Sequence, residues 1–274
     1  MGKPKQSKLN HLQSQLGANE VVSARWLRAH GYSTGLVARY VRSGWLKSPA
    51  RGIYTAPWVT DLGWESVLRS LQQRDGLRLH VGGRFALAWQ GHEHYLRLGE
   101  SPVITLYGND RPPGWLAELP MQGKFLYVGA GPFPPTEPVS SDDADAEALY
   151  REGLASLDTS SNGEPVVMST VERAMLELCA AKANTALVLE ADALMQGLAG
   201  LRSELVQRLL GRCRSVQAKR LFLALAERHS HAWASKLDLE AVDLGRGNRA
   251  LVEGGRLDRK YQITLPRELD EVLG

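Results

Sequence analysis

Six cationic side chains, Arg25, Arg28, Arg39, Arg42, Lys47 and Arg51, fall between Val21 and Thr60 with no carboxylate among them. Guanidinium groups present planar forks of N–H donors and an ammonium is a mobile point charge, and both suit phosphate oxygens. An ordinary solvated surface would mix both signs, and cationic three-helix units that mediate protein contacts are the alternative. A stretch of one sign points to a polyanion, and phosphate-rich nucleic acid is the commonest one. The imbalance is regional: residues 1–58 hold nine Lys/Arg against one acid, Glu20, while the rest of the chain holds 24 against 29.

The elements that must carry these cations follow from apolar spacing. Leu9, Leu12 and Leu16 sit three and four apart, as on one face of a helix over 8–16. A second helix over 21–29 turns Val22, Trp26 and Leu27 inward and stops at Gly31. Ser33 is an N-cap for a third, 34–43, with Leu36, Val37, Tyr40 and Val41 on one side and Thr34, Arg39, Arg42 and Ser43 on the other. After Gly44, strands 45–47 and 53–55 flank a turn, a hairpin that carries Lys47 and Arg51 outward. Two short helices, a glycine-bearing turn and a wing make a winged helix-turn-helix whose third helix enters the major groove. Its expected DNA-binding residues are Arg28, Thr34, Arg39, Arg42, Ser43, Lys47 and Arg51. Lys3, Lys5 and Lys8 read as a solubilising terminus, with an accessory DNA arm as the alternative.

The remainder predicts a larger mixed domain, so the fold class is α+β, divided into a head at 1–59 and a body at 60–274. Helices are expected over 61–73, 84–90, 170–181, 185–197, 201–212 and 216–228, and strands over 77–81, 103–107, 125–128, 250–252 and 261–265. The run 132–147 reads as an acidic loop. Ser169 and Glu172 have the spacing of a capping box.

Chemistry in the body is thin. Gly82-Gly83 before a helix has amides that would cradle an anion, although the spacing fits no phosphate or dinucleotide fingerprint and reads as a plain turn. His92-Glu93-His94 and His229-Ser230-His231 lack the further ligands of a metal site and read as polar loop histidines, so neither metal nor cofactor is expected. No nucleophile elbow or carboxylate pair marks a catalytic residue. Arg208, Arg212, Arg214, Lys219 and Arg220 could give the body a second basic group, but Glu204 and Glu227 dilute it and a solvated helical face is the preferred reading. Cys179 and Cys213 read as reduced, buried thiols. With no apolar leader or span, the chain is expected in the cytoplasm, without a membrane partner.

The blocks HVGGRFALAWQGHEHYLRLG (80–99), STVERAMLELC (169–179) and AKRLFLALAERHSHAW through LDLEAVDLGRGNRALVEGGRLDRKYQITLP (218–266), together with the head, resemble the AbiEi family of antitoxins and transcriptional regulators from type IV toxin–antitoxin systems. The resemblance implies an antitoxin that represses its own operon by binding inverted repeats in the promoter. Its functional partner would be a nucleotidyltransferase-like toxin, opposed without a stable complex. DNA reading would fall on Thr34, Arg39 and Arg42 with Lys47 and Arg51 in the wing, and antitoxicity on the C-terminal domain, where Arg212, Arg214, Lys219 and Arg220 are the guess. The competing readings are a nucleic-acid- or nucleotide-processing enzyme delivered by the head, and a module that sequesters the toxin directly.

Overall fold

The computed structural model describes residues 8–16, 20–92, 101–135, 143–159 and 165–271. The head runs α1 (Lys8–Gln15), β1 (Val21–Ser23), α2 (Ala24–Ala29), α3 (Thr34–Arg42), β2 (Lys47–Ala50) and β3 (Ile53–Thr55), with its strands in the order β1-β3-β2. This is a winged helix-turn-helix. The expected helix over 21–29 is in fact a strand and a helix. Val21 and Val22 are β-branched and pair with Thr55 and Tyr54, and Ser23, extended at φ −83°, accepts the Trp26 amide at 3.0 Å to cap α2.

The wing also starts later than its spacing suggests, at Lys47 instead of Trp45. Gly44, at φ +71°, ends α3 in a Schellman arrangement. The Gly44 amide bonds the Val41 carbonyl at 3.1 Å and the Trp45 amide the Tyr40 carbonyl at 2.9 Å, so Trp45 is tied to the helix end.

Along β1 the side chains alternate between two cores. Val22 joins Leu12, Leu27, Val37 and Tyr40 in the head, whereas Val21 and Ile53 belong to the core of the body. Polar ties reinforce this junction: Glu20 pairs with Arg74, Ser23 Oγ donates to Asp75 at 2.7 Å, and the Arg74 guanidinium lies 5.1 Å above the Trp26 ring.

In the body, α4 (Trp64–Arg69) continues through a π-helical turn, Ser70–Arg74. Then follow β4 (Leu79–Val81), α5 (Gly83–Trp89), β5 (Val103–Gly108), a 3-10 turn (Gly114–Glu118), β6 (Lys124–Tyr127), α6 (Asp143–Arg151), β7 (Leu154–Leu157) and β8 (Val166–Ser169). The five strands form one sheet in the order β6-β5-β4-β8-β7, with β5/β6 and β4/β8 parallel and the other pairs antiparallel. Four helices pack beside it, α7 (Val171–Ala180), α8 (Thr185–Gln196), α9 (Ser203–Arg212) and α10 (Val216–Arg228). The chain closes with β9 (Arg249–Ala250), β10 (Arg256–Asp258), β11 (Ile263–Leu265) and α11 (Glu268–Glu271), whose strands make a small sheet ordered β10-β11-β9.

Two sequence expectations change here. Part of the expected acidic loop at 132–147 is α6, while 136–142 lies outside the described residues. The capping box at α7 does not form: Thr170 holds the N-cap position without a side-chain bond, Ser169 Oγ donates to Glu177 at 2.8 Å, and Glu172 accepts the Arg202 amide and guanidinium. Helix α7 is buried from Glu172 to Cys179, so its charged residues bond to other elements instead of to the helix end.

Candidate nucleic-acid interface

The third helix is built as its sequence requires. Ser33 Oγ accepts the Leu36 amide at 3.3 Å, Val37 and Tyr40 are buried, and Thr34, Arg39, Arg42 and Ser43 all face solvent. Arg28 projects from the last turn of α2 and Arg51 from the wing turn, both exposed. A cleft of about 680 Å3 brings Arg28, Thr34 and Arg51 together against Trp115 and Glu118 of the body. Arg39 and Arg42 lie further along α3. Lys47 stands at the start of β2 on the rim of another cleft and donates weakly to the Val59 carbonyl at 3.4 Å.

Among the described residues none of Arg25, Arg28, Arg39, Arg42, Lys47 and Arg51 forms an ion pair. The single acid of the head, Glu20, is engaged by Arg74 from the body. Charge on this face is therefore unneutralised from within the head. Lys8, at the start of α1, donates to the Gly31 carbonyl at 2.9 Å, just past the end of α2; Lys3 and Lys5 lie outside the described residues.

The amides at Gly82-Gly83 do meet an anion, and it is the chain's own. The Gly83 amide donates to Glu177 at 3.0 Å; Ser169 Oγ, Arg173 Nε and His80 Nε2 complete the carboxylate at 2.8, 2.8 and 3.1 Å. Four donors satisfy a carboxylate in full. Glu177, Arg173 and His80 are 1%, 1% and 3% exposed, and His80 stacks on Tyr107 at 5.8 Å. Burial lowers the His80 pKa despite its carboxylate partner, while the hydrogen bond from His80 and the Arg173 charge hold Glu177 below its ordinary range against its own desolvation. The network is closed to solvent and leaves no lone pair for a substrate, so it organises the junction of β4, α5 and α7. The Arg173 and Glu177 spacing of four was its only trace in the sequence.

The second basic group does not form one surface. Arg220 is 1% exposed and donates to the Leu244, Gly247 and Gln262 carbonyls at 2.7, 2.6 and 3.0 Å, so it fastens the tail onto α10. Lys219 is buried, and Arg212 is committed to Glu152 at 2.7 Å. Arg208 and Arg214 alone face solvent fully. Periodicity missed this because the tail that covers α10 is irregular.

The histidine clusters separate as well. His229 bonds Asp192 at 2.9 Å and His231 bonds the Met195 carbonyl at 2.7 Å, so both are structural; His92 is described, but Glu93 and His94 are not. Among the described residues no group of three His, Cys, Asp or Glu side chains could hold a metal ion, and no helix is long and apolar enough to cross a membrane.

Comparison with solved structures finds the Rv2827c protein from Mycobacterium tuberculosis, 17% identical, with a TM-score of 0.57 over 97% of this chain and 93% of that one. The whole arrangement of head and body thus recurs as a fold. A search of curated proteins returns no match. Residues 5–98 match the family model of the AbiEi antitoxin N-terminal domain, a transcriptional regulator, and residues 101–266 match that of the transcriptional regulator and AbiEi antitoxin of type IV toxin–antitoxin systems. The two matches meet between β4 and β5, strands of a single sheet, and together they span nearly the whole chain. The chain belongs to the AbiEi family of antitoxins and transcriptional regulators of type IV toxin–antitoxin systems.

Proposed function

We propose that this protein is an operator-binding autorepressor whose body, residues 60–274, acts as the antitoxin. The head, residues 1–59, grips inverted repeats upstream of its own operon through α3 and the wing. The partner is a nucleotidyltransferase-like toxin, opposed without a stable complex. The chain works in the cytoplasm and catalyses nothing itself. One observation carries the DNA half: the cations of α2, α3 and the wing face solvent without ion pairs among the described residues, while Glu20 is taken up by Arg74. Such a face gains by neutralising phosphates and releasing their counterions.

The test is a titration of a duplex covering the upstream region at several salt concentrations. Affinity should fall steeply with salt, with a log–log slope of about 0.9 per phosphate neutralised. Replacing Arg39 and Arg42 with alanine should weaken binding to that duplex and leave rescue from the toxin largely intact. Salt-independent binding that the double variant shares would overturn the proposal. Loss of both activities in a folded variant would overturn the division between head and body.

A further inference from the structure

A third cleft, of about 320 Å3, opens where the wing meets the body, and three arginines line it: Arg25 and Arg51 from the head and Arg111 from the body. All three are exposed, and none forms an ion pair among the described residues. The cleft's acid is Asp75, which is occupied by the Ser23 hydroxyl. Asp110, next to Arg111 in the chain, is held by Arg78 through the backbone amide at 2.7 Å and the guanidinium at 3.1 Å. Those bonds keep its carboxyl below the ordinary range and leave it turned to Arg78. Arg111 is followed by Pro112 and Pro113, whose rings fix φ and stiffen its support.

Head and body are also joined here by Ser23 to Asp75 and Glu20 to Arg74. The Ala24 amide bonds the Gly52 carbonyl at 2.7 Å, locking the wing turn onto α2, and β1 shares its side chains between both cores. The backbone positions that carry the arginines on the two sides are therefore tied to one packed junction. We infer that Arg111 is a phosphate-binding residue of the DNA surface, contributed by the body: a duplex gripped by α3 lays its flanking backbone across this cleft, between the wing and Arg111. This rests on the reading of the head as a DNA-binding unit. The ligand is the sugar-phosphate backbone, so the contact adds affinity without selecting sequence.

The full-length chain is compared with Arg111→Ala, Arg111→Lys and Arg111→Glu, using the upstream duplex and an unrelated duplex of equal length. Arg111→Ala should lower affinity for both duplexes by the same factor and reduce the salt slope by about 0.9. Arg111→Lys should restore most of the slope, and Arg111→Glu should weaken binding further than alanine. Trimming base pairs from the wing side should weaken the wild type but not Arg111→Ala. Wild-type affinity and slope in Arg111→Ala and Arg111→Glu, alongside lost binding in Arg39→Ala/Arg42→Ala, would refute the role of Arg111 and leave the head's role standing. Unaltered binding in the Arg39→Ala/Arg42→Ala protein would refute the head's role itself. Equal melting temperatures for the Arg111 variants identify any loss as one of binding, because an exposed side chain costs little stability.

Discussion

Val21 and Val22 are consecutive residues of β1, yet they point into different cores, Val22 into the head and Val21 into the body. A strand of three residues thus serves as a shared wall, and with Glu20 and Ser23 beside it the head, α3 included, is oriented by the body. A head on a flexible linker would search orientations freely. This one is packed against the body, which sets its orientation.

The shared wall predicts one cooperative unfolding event. Urea transitions followed by far-UV circular dichroism and by tryptophan fluorescence should coincide, although the head keeps its own apolar cluster. Val21→Ala and Val22→Ala should each cost about 1–3 kcal/mol without separating the two signals. A head transition detached from the body transition in the wild type would contradict this.

Gly44 and Gly82, both at element boundaries, should respond very differently to alanine. Gly44 has φ +71° with open space around it, so Gly44→Ala meets left-handed strain alone, about 1–2 kcal/mol. At Gly82 a Cβ would overlap the Glu177 carboxylate and crowd Ser169 and Tyr107, so Gly82→Ala should cost about 3 kcal/mol or more. Denaturation midpoints of the two variants decide it.

Local patterns on α3 carried through to the structure because a short surface helix obeys local rules: the Ser33 cap, the Val37/Tyr40 inner face and the Gly44 stop need no distant partner. Residues 21–23 failed because Val21-Val22-Ser23 suits either element, and its pairing with 53–55 decides. Strands β7 and β8 escaped notice since Leu154–Leu157 has no β-branched residue and neither strand alternates cleanly in burial. The basic group at 208–220 misled for a related reason: helical spacing marks a face as outer, but only the irregular tail shows that Arg220 is covered. Arg111 carries no motif at all, and its relation to the wing exists only in three dimensions.

Stability should decline on mild acidification. His80 is held below its ordinary value of 6.5 by burial, so below that pH the unfolded chain takes up a proton that the folded chain refuses. The unfolded state then binds more protons and stability falls, by up to about 1.4 kcal/mol per pH unit for one group. Glu177, held below its ordinary 4.5, adds a second loss beneath that value by the same sign. Urea midpoints between pH 8 and 4 should show the decline beginning near 6.5, and His80→Gln should flatten it down to about 5. Stability rising on acidification would mean that His80 is protonated in the fold.

Alanine substitutions across the second basic group should part according to burial instead of charge. Arg220 has three carbonyl acceptors and no carboxylate partner among the described residues, so its removal breaks three partly buried bonds that hold the Leu244–Gln262 segment. Hydrogen bonds to a buried charge are worth about 1.5–3 kcal/mol each, and Arg220→Ala should therefore lose about 3 kcal/mol or more and open that segment to limited proteolysis. Arg220→Lys should fall between, since an ammonium cannot reproduce the planar fork. Exposed Arg214 should tolerate alanine within about 0.5 kcal/mol. In a toxin-rescue assay, Arg220→Ala should then fail near its melting temperature and recover when cells grow cooler, because the defect is one of folded population. A rescue defect that persists at low temperature in folded Arg220→Ala protein would instead place Arg220 in the antitoxic surface.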